Sequence, residues 1–269
     1  MRKNKILFDR VSLEYPKDSK KGWRFGNGGT SATNGNSTLV LEDIDLEISA
    51  GEFVSILGHS GCGKSSLLKI VAGFVKPTSG AVWIDDHRVE GPRADHMFVF
   101  QEGALFPWLT ILKNVSLALN SAKNESERTQ MARQYLELVS LEAYEHYYPH
   151  MLSGGMRQRA ELARALAAQP DVLMVDEPFS GLDYLTRLQM REEILYLHMM
   201  LEKTTILFVT HDIDEALQLS DRVVIMNGPP GKLHSCRSVD VPHPRLLSSS
   251  ALNEMRTDIF HQLGVHSAL

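Results

Sequence analysis

The stretch FVSILGHSGCGKSS, residues 53–66, decides the fold. It begins with a short apolar run typical of a buried strand and continues through a glycine-rich turn into a segment with helical periodicity, residues 65–75. The turn, residues 58–65, fits the pattern G-x-x-x-x-G-K-[ST] of a phosphate-binding loop (P-loop). In this pattern, backbone N–H groups and the positive end of the following helix bind phosphate groups. The predicted phosphate-binding residues are Gly58, His59, Ser60, Gly61, Cys62, Gly63, Lys64, Ser65 and Ser66.

Two motifs supply groups for phosphate chemistry. Lys64 is expected to reach the outer phosphates of a nucleotide, and the Ser65 hydroxyl is expected to bind Mg2+, which prefers oxygen ligands. A second apolar run, VLMVDE at residues 172–177, ends in two carboxylates. Ligands bind at the carboxyl ends of strands in open α/β sheets. We therefore expect Asp176 to hold Mg2+ directly or through water, and Glu177 to orient and deprotonate an attacking water.

The hydrophobic pattern of the rest of the chain predicts the fold class. Short apolar runs typical of buried parallel strands lie at residues 53–57, 172–175, 205–209 and 223–226. Helical periodicity is found at residues 65–75, 155–168 and 184–202, and a polar helical stretch at 125–148. Residues 6–15 and 39–48 alternate apolar with polar side chains, which predicts antiparallel strands. The predicted fold is α/β, a P-loop NTPase-type parallel sheet with an N-terminal antiparallel β subdomain and an inserted helical subdomain.

The domain organisation is expected to be simple. One domain would span residues 1–240, with the helical subdomain at about residues 102–165, and residues 241–269 would form a short tail without a separate regulatory domain. Residues 17–38 are rich in Gly, Asn, Ser and Thr and are expected to form a flexible insert. Two interpretations of this insert stay open: a solvated loop, and a partner-docking loop that uses Trp23 and Phe25.

Composition limits the classes of partner. The chain has 269 residues, with 28 Lys and Arg against 33 Asp and Glu, and its net charge of -5 gives no overall attraction to nucleic acid. Two cysteines are too few for a disulfide framework, which favours a reducing compartment. The start of the chain lacks the apolar stretch of a signal peptide, and no apolar run is long enough to span a bilayer. We expect a cytoplasmic protein with no nucleic-acid partner, whose membrane role depends on another protein.

A second candidate anion site lies in LSGGMRQR, residues 152–159. Ser153, Gly154 and Gly155 stand at the predicted start of an amphipathic helix, where a hydroxyl and open N–H groups can bind phosphate. The first loop already surrounds the phosphates of one nucleotide, so this second site is best explained as acting on nucleotide held by another copy. A simple helix cap explains these three residues equally well.

In order and spacing, these motifs resemble those of the ATP-binding cassette (ABC) ATPases over roughly residues 5–235, with SGLD at 180–183 completing the match. The resemblance implies that Gln101 senses the γ-phosphate and Mg2+, that His211 holds the γ-phosphate and the attacking water, and that Tyr15 stacks on adenine. It also assigns Asp183 to the nucleotide site. The implied metal ligands are Ser65, Gln101 and Asp176. The implied assembly is a head-to-tail dimer, of identical or closely related chains, with ATP between one P-loop and the other subunit's segment 153–156.

Residues 91–115, GPRADHMFVFQEGALFPWLTILKNV, are similar to the corresponding region of importer ATPases for nitrate, sulfonates and taurine. The resemblance implies a peripheral ATPase on the cytoplasmic side of the cell membrane that contacts membrane permease subunits through residues 101–109 and drives uptake of a small solute. An external solute-binding protein would act indirectly. For the apolar residues 106–109, internal packing is the alternative to a permease groove. A non-transport ABC ATPase and a weakly hydrolysing nucleotide-dependent switch are the alternative functions.

Overall fold

The computed structural model describes residues 4–16, 37–101, 103–119, 122, 124–180, 182–200 and 203–264. Most of the predicted flexible insert, residues 17–36, lies outside this part of the chain. Ser37 and Thr38, which we assigned to the insert, instead belong to a strand because they pair with Pro16 and Tyr15. The insert therefore connects two neighbouring antiparallel strands.

The two N-terminal strands are antiparallel, as predicted, and they belong to a four-stranded sheet that two later strands complete. Its strands are β1 (Asn4–Pro16), β2 (Ser37–Ser49), β4 (Ser79–Ile84) and β5 (His87–Arg88), in the order β2-β1-β4-β5. Alternating apolar side chains such as Ile6 and Phe8 are fully buried in the core. Asp85 and Asp86 form the tight turn between β4 and β5 with positive φ angles, a conformation that Asp tolerates better than most residues.

The second sheet has six strands in the order β10-β9-β3-β8-β7-β6. They are β3 (Phe53–Gly58), β6 (His96–Val99), β7 (Val172–Asp176), β8 (Thr205–Thr210), β9 (Arg222–Asn227) and β10 (Lys232–Ser238). All the pairings are parallel except that of β10 with β9. Strands β3, β7 and β8 are buried at every residue, which explains their continuous apolar runs. The predicted parallel core is confirmed, with β10 as an antiparallel edge.

Helices α2 (Ile111–Ser116), α3 (Glu125–Leu138) and α4 (Gly154–Ala167) pack on one another. Their buried side chains form a common core that includes Ile111, Val115, Leu136, Ala160 and Ala163. The predicted helical stretch 125–148 ends early, because Ser140 adopts a left-handed φ of 55° that a continuing helix does not allow. Single turns of 3-10 helix follow at Glu142–Tyr144 and Pro149–Met151.

The remaining helices are α1 (Lys64–Val71), α5 (Tyr184–Met200), α6 (Ile213–Leu219) and α7 (Ser250–Gln262). Helix α7 forms much of the predicted tail, and its buried Leu252 and Ile259 share a core with Leu57 of β3 and Leu217 of α6. In the part of the chain that the structure describes, none of the helices combines the length and the apolarity needed to cross a membrane.

The topology places the candidate residues at one edge. The carboxyl ends of the parallel strands β3, β6, β7 and β8 lie along the same side of the sheet, because their hydrogen-bonded registers run in parallel. The glycine-rich turn follows β3, Asp176 ends β7, and His211 directly follows β8. This edge is where ligands bind in open α/β sheets.

Candidate active site

The glycine-rich turn after β3 encloses the ammonium group of Lys64. The turn enters α1 through Gly63, whose φ of 96° lies in the left-handed region where a Cβ would be strained. Lys64 Nζ donates to the carbonyl oxygens of Gly58, at 2.8 Å, and His59, at 3.1 Å. The Lys64 side chain is only 5% exposed. The loop thus holds a buried cation beside backbone groups suited to phosphate.

Ser65 and Asp176 meet at the base of this turn. The Ser65 hydroxyl donates to Asp176 Oδ1 over 2.9 Å, which joins α1 to the end of β7. Burial raises the pKa of the Asp176 carboxyl, and the hydrogen bond from Ser65 opposes that shift. A hydroxyl and a carboxylate oxygen are the hard donors that Mg2+ prefers, so this pair fits the ion that the sequence predicts.

Glu177 lies between a lysine and a histidine. Its Oε1 is 3.8 Å from Lys64 Nζ, and its Oε2 is 3.3 Å from His211 Nδ1. The backbone of Glu177 has a φ of 45°, which is rare for a non-glycine residue, and its N–H donates to Val209 O over 3.0 Å. Such strained residues concentrate at functional sites. A carboxylate fixed beside an exposed imidazole can accept a proton from a water molecule.

The structure adds residues that the sequence reasoning missed, in the loop and helix after His211. Asp212 caps α6 by accepting from the N–H groups of Asp214 and Glu215, and it lies 3.1 Å from Arg191 Nη2. Glu215 is buried, lies 3.4 Å from the same guanidinium and accepts from the Thr210 hydroxyl. These contacts fix both neighbours of His211. The capping pattern DIDE at residues 212–215 was the available sequence signal.

The second candidate anion site, at the start of α4, is a helix cap in this chain. Ser153 Oγ accepts from the Met156 N–H over 3.3 Å. A methyl group at Gly155 would lie 2.9 Å from Thr186 Cγ2, so glycine allows α4 to approach the start of α5 closely. At Gly154 a methyl group would meet nothing within 4 Å. The cap is compatible with anion binding at the same helix end, which stays a prediction.

Besides the residues at the start of α4, three further predicted site residues lie outside the cluster around Glu177. Gln101 lines a cavity of about 270 Å³ together with Gly154 and Ser180. Asp183 caps α5, accepting from the Thr186 N–H at 3.1 Å and from its hydroxyl at 2.6 Å, and these bonds lower the pKa of Asp183. Tyr15 lies near the end of β1, opposite Thr38 and 37% exposed. Its role with adenine stays a prediction.

The apolar segment after Gln101 is hydrogen-bonded to a buried asparagine and carries an exposed tryptophan. Asn114, which is fully buried, accepts from the Phe106 N–H and donates to the carbonyl oxygens of Phe106 and Leu109. The Trp108 side chain is 70% exposed and its ring centroid lies 5.4 Å from that of Phe106. Internal packing therefore does not account for Trp108, and the permease contact stays a prediction.

Several known proteins that are similar to this chain belong to one family, the ABC transporters. The sequence profile of the ABC transporter family matches residues 41–180. The aliphatic sulfonates import ATP-binding protein SsuB of Bacillus cereus is 44% identical over 223 residues, which are 83% of this chain and 88% of that protein. The nitrate import ATP-binding protein NrtD of Synechococcus elongatus is 43% identical over 222 residues, or 81% of each chain. An ABC transporter ATP-binding protein of Methanocaldococcus jannaschii is 43% identical over 231 residues, or 86% of each chain.

Solved structures agree with these sequence relatives. A dimeric ATP-binding cassette in a post-hydrolysis state, bound to ADP and Pi, is 30% identical and superposes with a TM-score of 0.72. It covers 88% of this chain and all of that one. A second dimeric structure of a bacterial ABC transporter cassette is 31% identical, with a TM-score of 0.73 and the same coverage.

Proposed function

This chain belongs to the ABC transporter family as an ATP-binding, ATP-hydrolysing subunit, and we propose that it powers the import of a small solute through a separate membrane permease. The support for import is the 43–44% identity to relatives named as sulfonate and nitrate import proteins. A nitrate-like or sulfonate-like solute, taurine included, is the class that these relatives favour. Selectivity would reside in the permease and in an external solute-binding protein.

In the proposed hydrolysis reaction, each residue of the cluster has one task. Lys64 and the backbone of residues 58–63 bind the β- and γ-phosphates of ATP. Ser65 and Asp176 would hold Mg2+, with Gln101, which lies outside this cluster, as the further ligand that the family resemblance implies, and the bound ion would neutralise phosphate charge. Glu177 accepts the proton of the attacking water, and His211 holds that water and the γ-phosphate. The single observation that supports this assignment best is the convergence of Lys64 and His211 on the Glu177 carboxylate.

The active form in this proposal is a head-to-tail dimer of this chain or of closely related chains. The helix end at Ser153 and Gly155 is a separate anion site from the P-loop, and ATP bound to one subunit's P-loop would occupy the other subunit's site. Asp183 and Tyr15 would complete contacts with the nucleotide. The dimeric cassettes among the structural relatives support this arrangement.

The proposed permease contact is the exposed surface at Phe106 and Trp108. It would place the chain peripherally, on the cytoplasmic side of the membrane. If this surface is the contact, Trp108→Asp should abolish recovery of the membrane partner. Leu246→Asp is the matched control, because Leu246 is an equally exposed apolar residue, at 71%. Equal loss of the partner in both variants would contradict the placement.

The test of the whole proposal is isolation of the tagged chain in mild detergent, with its partners, followed by measurement of Mg2+-dependent ATP hydrolysis. Activity that Glu177→Gln abolishes, together with a co-purifying polytopic membrane protein, is the expected result. Activity with only soluble partners would favour a non-transport ABC ATPase instead. Absence of hydrolysis in every preparation would favour a nucleotide-dependent switch.

A further inference from the structure

Helix α7 packs on β3 and α6, two elements next to the ATP site. Its Leu252 and Ile259 are buried in one core with Leu57, the residue that precedes the P-loop, and with Ile213 and Ala216 of α6. Arg245, in the segment before α7, is buried and donates to the carbonyl oxygens of Leu217 and Ser220 at the end of α6. The helix is therefore held firmly against the site.

The C-terminal end of α7 reaches the P-loop. His59 Nε2 lies 2.7 Å from the carbonyl oxygen of Leu263, the residue that caps α7. Because a carbonyl oxygen only accepts, His59 Nε2 carries the hydrogen and donates it. The Leu263 carbonyl is fixed because the α7 terminus is anchored elsewhere: Asn227 Nδ2 donates to the carbonyl of Gln262 over 3.4 Å, and the Ser235 hydroxyl bonds the Gln262 side chain.

The middle of α7 reaches the element that follows His211. Arg256 Nε lies 3.1 Å from Asp214 Oδ1, and Asp214 is in the first turn of α6, three residues after His211. The Arg256 guanidinium also lies 5.9 Å from the centroid of the Phe260 ring. A groove of about 560 Å³ separates these residues from the P-loop, with His59, His211 and Arg256 among its lining side chains.

We propose that α7 is a strap of the ATP site, in which His59 and Arg256 act as positioning residues for the P-loop and for the His211 loop. The His59–Leu263 bond holds the first turn of the P-loop, so its loss makes ordering of that loop around phosphate more costly and weakens ATP binding. The Arg256–Asp214 pair holds the start of α6, so its loss lets His211 move away from Glu177 and slows the chemical step. The inference rests on the ATPase reaction of the family and not on the transport proposal.

The test separates the two contacts by their effects on binding and on turnover. A net hydrogen bond of this kind changes an equilibrium or rate about 2- to 10-fold. His59→Phe should raise the dissociation constant for ATP by about that factor with little change in kcat, and His59→Gln, which keeps a donor, should restore it. Arg256→Met should lower kcat by a similar factor with little change in ATP affinity, and Arg256→Lys should restore kcat.

The matched control lies on the same helix. Arg237 pairs with Asp258 of α7 at 3.3 Å, and both side chains are half exposed. Among the described residues, this pair makes no hydrogen bond or ion pair with the P-loop or the His211 loop, so Arg237→Gln should leave both the dissociation constant for ATP and kcat unchanged. Binding is measured by calorimetry, kcat by phosphate release at saturating ATP, and folding by thermal melting of each variant.

Hydrogen exchange of residues 250–263 supplies a second readout that does not depend on turnover. In the strap account, ATP binding slows exchange at the C-terminal end of α7 in the wild-type protein, and His59→Phe abolishes this change. The proposal is overturned if ATP leaves exchange in α7 unchanged in the wild-type protein. It is also overturned if Arg237→Gln alters binding and kcat as much as His59→Phe and Arg256→Met do.

Discussion

The P-loop region and the start of α4 are both anion-binding geometries, but they differ in what surrounds them. At the P-loop, Lys64, Ser65 and Glu177 are linked to partners from two other strand ends within the same chain. At the start of α4, Ser153 Oγ accepts from the N–H of Met156 in its own helix, and Gly154 has open space where a side chain would lie. The P-loop region joins groups from several elements of one chain, whereas the start of α4 is a simple helix cap.

This difference fits the proposed dimer, in which a second copy would complete the site at α4. Parallel strands bring Asp176, Glu177 and His211 to one edge, so a single chain positions the groups that we propose as base and metal ligand beside the P-loop. In the proposed dimer, the helix end at Ser153 would receive its ligand from the P-loop of the other subunit. Substitutions on the P-loop side therefore test the chemistry, and substitutions in α4 and α5 test how these helices are placed.

The largest expected effect is on the P-loop side, from Glu177→Gln. The substitution keeps the shape of the side chain but removes the base, and general-base catalysis contributes about 10²- to 10⁴-fold to a rate. Turnover should fall by that range while ATP binding persists and ATP-bound dimers accumulate. Phosphate release, calorimetry and size-exclusion chromatography with ATP measure the three quantities. Near-normal turnover in this variant would remove Glu177 as the base.

A smaller effect is expected next to α4, at the half-buried Glu193 of α5. Burial raises the pKa of Glu193 to about 7, although Arg159 of α4, 3.9 Å away, opposes the shift. The folded protein then holds a proton that the unfolded chain releases above its ordinary pKa of 4.5. Between these pH values the free energy of unfolding should fall as pH rises, by up to about 3 kcal/mol.

Denaturant unfolding at pH 5 and pH 7.5 measures this fall, and Glu193→Gln should reduce it. The neighbouring Glu192 is exposed on the same helix, so Glu192→Gln is the matched control and should retain the wild-type pH dependence. An identical pH dependence in the wild-type protein and in Glu193→Gln would show that Glu193 does not cause the fall in the free energy of unfolding.

The smallest expected effect is a difference in the free energy of unfolding between alanine substitutions of the two glycines at the start of α4. Gly155→Ala places a methyl group 2.9 Å from Thr186 Cγ2 and 3.3 Å from Leu182 Cδ2, so the Thr186 side chain or the two helices must shift, and we expect a cost of about 1 kcal/mol in the free energy of unfolding. Gly154→Ala meets nothing within 4 Å and should be neutral or stabilising, because alanine favours helix. Thermal melting measures both, and equal destabilisation by the two substitutions would contradict the close approach at Gly155.

Much of the fold and the chemistry was readable because it follows from continuous patterns. The run before Gly58 and the run that ends at Asp176 are buried strands, and their periodicity and following motifs predict both the sheet and the residues at its edge. The pairing of Ser65 with Asp176 follows from that edge. Local patterning is sufficient where a whole strand is buried.

Other features depend on contacts between distant parts of the chain. The strand β10 is mostly exposed and short of apolar residues, so its sequence has no strong strand pattern. The tail was expected to be a short extension, but the place where α7 packs depends on Leu57 and Leu217, far away in sequence. Likewise, no local pattern indicates that His59 reaches the carbonyl of Leu263 across 204 residues.

The most direct test of the shared site is to mix two variants that are inactive alone. Glu177→Gln removes the base, and Ser153→Glu places a carboxylate where phosphate would bind, a charge that a helix N-terminus tolerates. In a two-fold dimer each mixed pair regains one intact site, so ATP hydrolysis should recover to at most about a quarter of the wild-type rate. If the mixture stays as inactive as its two components, the P-loop and Ser153 do not form a common site between two chains.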